Sequence, residues 1–221
     1  MNQAHIDFWL SEFEPFTTAV VANGEAPASE LSVRLLQKIK RVVCCEGALQ
    51  KLLSVNIIPD VAVGDGDSLD CEELIRHKIP YHADKSEEYN DLQKALKYCQ
   101  KERYNDVLLF GCGGLREDHF IANLSILVMY SEKMRLSMLT EHGVFNVMRG
   151  MASFNALAGM QVSVFAHSPR TKLSFTGLKY PVRNRSFNWL WEGSLNEAVG
   201  DEFVVEANDE EPVFVYRAIN G

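Results

Sequence analysis

Two aspartates separated by one residue are the most chemically suggestive feature of this sequence. Asp65 and Asp67 lie in the segment 61–70, directly after three apolar residues that are typical of the end of a buried strand. Gly64 and Gly66 free the backbone for a sharp turn, so both carboxylates can project towards one point. Mg²⁺ takes a few carboxylate oxygens and otherwise keeps water and substrate phosphates. The segment therefore predicts a magnesium site, with a solvated Asx turn as the alternative.

A glycine-rich turn is the second candidate. The residues Gly111-Cys112-Gly113-Gly114 follow the apolar run 106–110 and precede a predicted helix over 117–130. Such a turn lets backbone N–H groups approach an anion, and the helix N-terminus adds a partial positive charge. Arg116 could fork two phosphate oxygens there. The alternative is that Asp118 caps the helix and Arg116 is solvated. The turn is neither a Walker A loop nor the dinucleotide fingerprint.

Two further acids stand in equivalent places. Asp91 lies near the start of a predicted helix over 88–101, where the helix dipole favours an acid in any case. Glu46 follows the second predicted strand. Four acidic positions, each at a strand end or helix start, are expected to cluster along one edge of a parallel sheet.

The elements that must position these residues alternate over the first two-thirds of the chain. Apolar runs predict strands over 17–21, 41–45, 59–63, 79–82, 106–110 and 135–139, and helical periodicity between them predicts the intervening helices. Ser29 is predicted to cap the first of these helices. Strand–helix alternation indicates βαβ units and a parallel sheet. We therefore predict a Rossmann-like α/β/α domain over residues 1–140.

The pattern changes after about residue 140. Short apolar or alternating runs, separated by Gly, Pro, Asn and Asp, predict strands over 144–148, 152–157, 161–165, 172–175, 187–192, 202–206 and 212–216. No helix of useful length is predicted between them. Residues 141–221 are therefore expected to form a small all-β sandwich, with a small barrel as the alternative.

Composition restricts the partners and the compartment. The 221 residues carry a formal net charge of -8, which argues against a general nucleic-acid or anionic-membrane surface. Five cysteines without framework spacing indicate a reducing compartment. No run approaches 18 apolar residues, and the N-terminus has no basic region followed by an apolar segment. We expect a cytoplasmic protein.

Several ordered motifs resemble those of the thiamine pyrophosphokinase family. The turn 64–68 (Gly-Asp-Gly-Asp-Ser) is similar to the family's G-D-x-D-S, and Asn90-Asp91 with Lys94-Ala95-Leu96 to its T/N-D-x-x-x-A-L. The stretch 113–119 with Asn123 resembles G-G-x-R-x-D-H-x-x-x-N. In the β region, 176–180 (Thr-Gly-Leu-Lys-Tyr) and 194–197 (Ser-Leu-Asn-Glu) resemble T-G-L-K-Y/W and S-x-N-E.

The resemblance implies transfer of the pyrophosphoryl group of ATP to the hydroxyl of thiamine, giving thiamine diphosphate and AMP. It implies Asp65, Asp67 and Asp91 around Mg²⁺, directly or through water, and Arg116 on the phosphates. Asp118 is then a further acid near the metal or the group that orients the thiamine hydroxyl. The resemblance also implies a homodimer with active sites between subunits. The remaining binding positions that it implies are Gly64, Ser68, Asn90, Gly113 and Gly114 beside the nucleotide and metal, and Thr176, Tyr180, Ser194 and Asn196 for thiamine, with Tyr180 stacking on the heterocycle.

The sequence departs from the family pattern in places, and further functions stay open. Family members commonly carry Asp-Gly-Gly-Ala where this chain has Glu46-Gly47-Ala48-Leu49. The family's usual Lys-Asp-x-Thr-Asp appears here as Glu87-Glu88-Tyr89-Asn90-Asp91. Because the residues on the ATP side do not specify the acceptor, another alcohol such as a pterin is an alternative substrate. The sequence is also compatible with a non-catalytic nucleotide sensor and with a metal-dependent nucleotide-sugar transferase.

Overall fold

The computed structural model describes residues 1–219. The chain separates into two compact units, one of Asn2–Glu141 and one that begins at His142. We call them the α/β unit and the β unit. Within residues 1–219, no helix has the length and apolar character that a membrane span requires.

The α/β unit alternates helices and strands, as predicted. Its elements are α1 (Gln3–Glu12), β1 (Thr18–Val21), α2 (Glu30–Lys38), β2 (Arg41–Cys45), α3 (Leu49–Ser54), β3 (Val61–Gly64), α4 (Cys71–His77), β4 (Tyr81–Ala83), α5 (Asp91–Lys101), β5 (Asp106–Phe110), α6 (Glu117–Ser131) and β6 (Arg135–Leu139).

The strands of this unit form a parallel sheet in the order β6-β5-β1-β2-β3-β4. The chain enters at β1, moves outward to β4, and then returns to the other side of β1 through β5. The strand order therefore reverses between β1 and β5. Parallel sheets of this kind bind ligands at the carboxyl ends of the strands, at such a switch point.

Local signals explain the helices that flank the sheet. Ser29 caps α2 by accepting the Ser32 N–H. Asn90 caps α5 in a capping box with Gln93, so this helix begins three residues later than predicted. The buried face of α5 carries Leu92, Lys94, Ala95, Leu96 and Cys99, and all but one of these side chains are apolar. The lysine on that face has a polar partner, as described below.

The β unit has two antiparallel sheets. Its strands are β7 (Gly143–Met148), β8 (Met151–Asn155), β9 (Gln161–Ala166), β10 (Lys172–Thr176), β11 (Val182–Ser186), β12 (Asn196–Glu197), β13 (Glu202–Ala207) and β14 (Val213–Ala218). Within this unit the sheets run β12-β9-β14-β7 and β11-β10-β13-β8. Arg217 of β14 is buried between them: it donates to the Asn155 carbonyl at 2.7 Å and lies 5.4 Å from the Phe154 ring centre.

Two features of the fold differ from the sequence-based expectation. The strand predicted over 187–192 is wrong: a 3₁₀ turn covers Leu190–Gly193, because the Glu192 carboxylate accepts the N–H groups of Asn188 and Trp189. The strand lies earlier, at Val182–Ser186, on a sheet edge, where polar and exposed side chains hide the β pattern. Helix α1 was not predicted, although it buries Ile6 and Trp9.

Candidate active site

The loop that follows β3 is held by a buried carboxylate. Glu46 follows β2, and only 4% of it is exposed. Its Oε2 accepts the Gly66 N–H and the Tyr81 hydroxyl, both at 2.9 Å, and its Oε1 accepts the Ser68 N–H at 2.8 Å. Gly66 adopts a φ of 102°, in the region that favours glycine. We call the residues Gly64–Ser68 the Asp loop. Its backbone is thus fastened to Glu46.

The Asp loop also requires a glycine at its first position. A Cβ atom on Gly64 would lie 2.2 Å from Oε2 and 2.4 Å from Cδ of Glu46, which is far inside van der Waals contact. Burial and the Glu46 carboxylate together raise the pKa of Tyr81, so its hydroxyl stays protonated and donates. Gly64 and Tyr81 therefore both lie close to the Glu46 carboxylate.

A buried lysine joins two of the predicted metal-binding acids. Lys94 of α5 is 3% exposed, and its Nζ donates to Asp65 Oδ2 and lies 3.4 Å from Asp91 Oδ1. The two carboxylates come from different elements, the Asp loop and the first turn of α5. They therefore meet at one cation, as the predicted clustering along the sheet edge requires.

The electrostatics of this group follow from the geometry. Hydrogen bonds from the Lys94 ammonium and from the Asp67 N–H hold the pKa of Asp65 below its ordinary value. Burial raises the pKa of Asp91, and Lys94 counteracts the shift only in part. Burial alone would lower the pKa of Lys94, but the bond to Asp65 and the charge of Asp91 outweigh it and raise that pKa. Lys94 is therefore firmly cationic.

Asp67, the third acid predicted to bind the metal, lies on the exposed side of the Asp loop. Its N–H donates to Asp65 Oδ1 at 3.2 Å, which forms the Asx turn that the sequence left open. Its side chain is exposed. Among residues 1–219, no group of three or more His, Cys, Asp or Glu side chains has the arrangement of a protein-only metal cage. Asp65 and Asp91 converge as a pair, and Asp67 lies two residues from the first.

A cleft opens at the switch point between β1 and β5. It has a volume of about 340 Å³, and its lining includes Asn23, Asp91, Gly111, Gly113 and Arg116. The cleft therefore joins the turn after β1, the start of α5 and the glycine-rich turn after β5. A site that carries acids, backbone amides and an arginine can bind a phosphorylated ligand together with a cation.

The two turns that line the cleft are bonded to each other. The Gly24 N–H donates to the Gly111 carbonyl and the Glu25 N–H donates to the Gly113 carbonyl, both at 2.7 Å. A Cβ atom on Gly24 would lie 2.2 Å from the Gly111 oxygen, so this close approach depends on glycine. Asn123 of α6 supports the second turn by donating to the Cys112 carbonyl at 2.8 Å.

Lys51 supports the first turn. Its Nζ contacts the Asn23 carbonyl at 2.8 Å, Asn23 Oδ1 at 2.7 Å and the Gly24 carbonyl at 2.5 Å. An ammonium has three donors. This lysine is therefore fully engaged in holding the turn after β1.

Arg116 and Asp118 form an exposed two-point pair at the start of α6. Arg116 Nε donates to Asp118 Oδ1 at 3.1 Å and its Nη2 donates to Oδ2 at 2.5 Å. The guanidinium lowers the pKa of Asp118 to about 2. Asp118 does not cap the helix, since the cap position is Arg116. The same two N–H groups have the geometry that binds two phosphate oxygens.

In the β unit, Tyr180 presents an exposed ring on a rigid backbone. Tyr180 is 61% exposed, whereas Asn196 is only 6% exposed. Asn196 Oδ1 accepts the Tyr180 N–H at 3.0 Å and its Nδ2 donates to the Tyr180 carbonyl at 2.8 Å. Lys179 forms an ion pair with Glu197 at 3.0 Å beside the ring. Asn196 therefore holds the Tyr180 backbone through both its side-chain oxygen and its side-chain nitrogen.

The other two residues predicted to bind thiamine, Thr176 and Ser194, lie at the ends of secondary-structure elements. Ser194 follows the 3₁₀ turn, and its hydroxyl donates to the Trp191 carbonyl at 2.7 Å. Thr176 is the last residue of β10 and is exposed. Gly177 follows it with a φ of 76° and a backbone approach to Glu202 that excludes a side chain.

Two family profiles match this chain in order. The thiamin pyrophosphokinase catalytic domain matches residues 33–138, and the thiamin pyrophosphokinase substrate-binding domain matches residues 143–216. The chain belongs to the thiamin pyrophosphokinase family. This confirms the resemblance that the motifs predicted.

Individual members of the thiamin pyrophosphokinase family agree with this assignment. A thiamine pyrophosphokinase of Bacillus subtilis (strain 168) is 30% identical over an alignment of 148 residues. The match covers 60% of this chain and 66% of that relative, just under two thirds of its length. The solved structure of the Bacillus subtilis protein matches with a TM-score of 0.77 at 18% identity, over 92% of this chain and 99% of that one. The yeast thiamin pyrophosphokinase matches with a TM-score of 0.80 at 15% identity, over 100% of this chain and 91% of that one. At these identities the structures show a shared fold, which confirms the predicted fold class.

Two residues of the thiamin pyrophosphokinase motifs have structural roles that the sequence did not predict. Glu46 was expected to cluster with the other acids at the sheet edge, without an assigned role; its carboxylate accepts the backbone N–H groups of the Asp loop. Asn90 was expected to bind a ligand; it lines the cleft, and its side chain caps α5.

Lys94 is the residue to which the sequence assigned no role. It lies three residues after Asp91, and this spacing places two side chains on one face of a helix. A lysine within an otherwise apolar stripe is the signal that could have revealed it, because a buried ammonium requires a partner.

Proposed function

We propose that this chain transfers the β,γ-pyrophosphoryl group of ATP to the hydroxyl of thiamine, giving thiamine diphosphate and AMP. The observation that carries the proposal is the meeting of Asp65, Asp91 and Lys94 beside the cleft at the β1–β5 switch point. The match of both family domains supports the two substrates.

Mg²⁺ is the proposed cofactor. Asp65 and Asp91 fit it because their carboxylates already converge on a cation, and Asp67 adds a third carboxylate on the same loop. Mg²⁺ uses one or two carboxylates together with water and phosphate oxygens, so a protein-only cage is unnecessary. When bound at Asp65 and Asp91, it would supply positive charge against the phosphates.

The remaining steps rest on side chains and amides of the chain itself. The turn around Gly113 and the N-terminus of α6 bind the phosphates through N–H groups. Arg116 exchanges the Asp118 carboxylate for phosphate oxygens, and Lys94 supplies a second positive charge. Asp118, once released, either joins the acids near the metal or orients the thiamine hydroxyl. These contacts hold the donor in line with the acceptor, and positioning with charge neutralisation suffices for this class of reaction.

Tyr180 is the proposed stacking residue for thiamine. Its ring is exposed, while Asn196 fixes its backbone through two hydrogen bonds. A thiazolium cation and a flat pyrimidine are attracted to the face of an aromatic ring. Thr176 and Ser194 are proposed to bond the polar edges of the ligand.

We also propose a cytoplasmic homodimer with active sites between subunits. The β unit exposes Trp189, Leu190, Trp191 and Leu195, each between 67% and 74%. An apolar patch of this kind is typical of a surface that a second protein covers. The cysteines are all free thiols, which suits a reducing compartment. Light scattering on the purified protein tests the dimer, and a monomer at working concentration would contradict it.

The function is tested by incubating purified protein with ATP, Mg²⁺ and thiamine and separating the products. We expect AMP and thiamine diphosphate in equal amounts, with no product when a chelator removes Mg²⁺. Formation of ADP would instead indicate transfer of a single phosphoryl group. If no product forms with thiamine but AMP appears with a pterin alcohol, the acceptor in this proposal is wrong.

A further inference from the structure

We propose that Glu46 is a positioning residue that sets the conformation of the Asp loop, with Tyr81 as its partner. Through the loop it strengthens the binding of Mg²⁺·ATP without contacting the metal ion or the nucleotide. The proposal rests on the proposed function, because it concerns how Asp65 and Asp67 are presented. Glu46 and Tyr81 lie outside the residues that the motifs assign to ligand binding.

The hydrogen bonds of Glu46 are to the Asp loop and to Tyr81 of β4. Three donors meet its two oxygens: the N–H groups of Gly66 and Ser68 and the hydroxyl of Tyr81, at 2.8–2.9 Å. They come from residues 20, 22 and 35 positions away in the sequence. Glu46 has no ion pair among the described residues, so these bonds are what compensates its burial.

Burial makes this arrangement specific. A carboxylate that is 4% exposed is costly unless hydrogen bonds satisfy it, so the loop and the acid stabilise each other only in this one geometry. The bonded amides of Gly66 and Ser68 follow Asp65 and Asp67 respectively in the sequence. The bonds from these two amides to Glu46 therefore fix the backbone immediately after Asp65 and immediately after Asp67.

The position of the Asp65 carboxylate depends on the same loop. Asp65 reaches Lys94 in α5 only while the Asp loop keeps its shape, and Lys94 is also 3.4 Å from Asp91. A loosened loop would therefore disperse the acids that the proposed function places around Mg²⁺. The expected result is weaker binding of Mg²⁺·ATP with little effect on thiamine.

The test compares Glu46→Gln and Tyr81→Phe with a matched control. In Glu46→Gln the new side-chain amide can accept from only one of its two ends, so at least one loop N–H loses its acceptor. Tyr81→Phe removes only the hydroxyl donor. The control is Asp60→Asn, because the Asp60 carboxylate likewise accepts one backbone N–H, that of Val42 at 2.7 Å, at the opposite end of the sheet.

The first readout is amide hydrogen exchange of the ligand-free protein. In Glu46→Gln we expect at least one of the Gly66 and Ser68 amides to exchange at least about tenfold faster than in the wild type, the equivalent of about 1.4 kcal/mol. In Tyr81→Phe we expect a smaller increase at the same two amides. In Asp60→Asn both amides keep the wild-type rate. Because no substrate is present, this readout stays valid even if the proposed activity is wrong.

The second readout is kinetic. For Glu46→Gln we expect the KM for Mg²⁺·ATP to rise about tenfold or more while the KM for thiamine changes less than about twofold. A purely structural role would lower the melting temperature and leave the ratio of the two KM values unchanged, which would overturn the proposal. Unchanged exchange at Gly66 and Ser68 in both Glu46→Gln and Tyr81→Phe would also overturn it. If Glu46→Gln does not fold, the result with Tyr81→Phe decides.

Discussion

Substituting Gly64 by alanine is the sharpest single perturbation of the Asp loop. Gly64 has no left-handed φ, so its backbone accepts an L side chain without strain. The added Cβ, however, would lie 2.2 Å from Glu46 Oε2, which is 1.2 Å short of the 3.4 Å at which ordinary contact begins. Either the carboxylate or the loop must move by about that amount.

The energetic consequence follows from the hydrogen bonds of Glu46. A displacement of 1.2 Å would stretch its bonds of 2.8–2.9 Å beyond hydrogen-bonding distance. Each bond to a charged group contributes about 1.5–3 kcal/mol, and water at the surface of the loop replaces part of the loss. We expect Gly64→Ala to lower the free energy of unfolding by about 3 kcal/mol, the equivalent of one or two such bonds.

The assay is urea unfolding followed by circular dichroism, together with the KM for Mg²⁺·ATP. The control is Gly200→Ala, since a Cβ on Gly200 meets nothing within 4 Å and its φ is not left-handed. Adding Glu46→Asp to Gly64→Ala withdraws the carboxylate by one C–C bond, about 1.5 Å. The double variant is therefore expected to be more stable than the sum of the single effects predicts. Equal stability of Gly64→Ala and Gly200→Ala, with an unchanged KM, would refute the close contact with Glu46.

Three further predictions concern single side chains. Asp67→Asn should reduce turnover by at least about 100-fold while the circular dichroism spectrum is unchanged, because it removes an exposed carboxylate proposed to bind Mg²⁺; near-normal turnover at saturating Mg²⁺ would contradict this role. Tyr180→Ala should raise the KM for thiamine far more than the KM for ATP, and equal increases would indicate a folding defect instead. Arg116→Gln should return the pKa of Asp118 from about 2 towards 3.8, measured by carboxyl NMR titration. Because the pKa of Asp118 is lowered in the folded protein, the ion pair stabilises the fold fully above pH 3.8, and this stabilisation is lost as the pH falls through 2. If the pKa of Asp118 does not move in Arg116→Gln, another group causes the shift.

The alternation of strands and helices was predictable because burial imposes a period on the sequence. β2 and β5 lie at the predicted residues, since both are apolar runs with a charged or polar first residue. β11 was missed for the opposite reason: it is an exposed edge strand whose central residues are Arg183-Asn184-Arg185, so nothing in its pattern marks it as β structure. Edge strands require tertiary information because only one of their sides is paired.

The candidate site was predictable as a location but not as a set of contacts. Asp65 follows a strand and Asp91 begins a helix, so both are expected at the carboxyl edge of the parallel sheet, however the side chains pack. That Lys94 lies between them, and that Glu46 holds the loop, depends on contacts over 20 to 35 residues of sequence. Side-chain pairing at that distance is set by the fold: the lysine in the apolar stripe of α5 indicates that a partner exists, but the local pattern does not identify that partner.

Transfer of an intact pyrophosphoryl group is the central claim, and ATP that carries a label in its β-phosphate tests it most directly. Purified protein with Mg²⁺ and thiamine is predicted to move the β-label into thiamine diphosphate and to leave unlabelled AMP. The same transfer should be strongly reduced in Asp67→Asn and unchanged in Gly200→Ala. A β-label that remains on adenosine, as ADP beside thiamine monophosphate, would contradict the account.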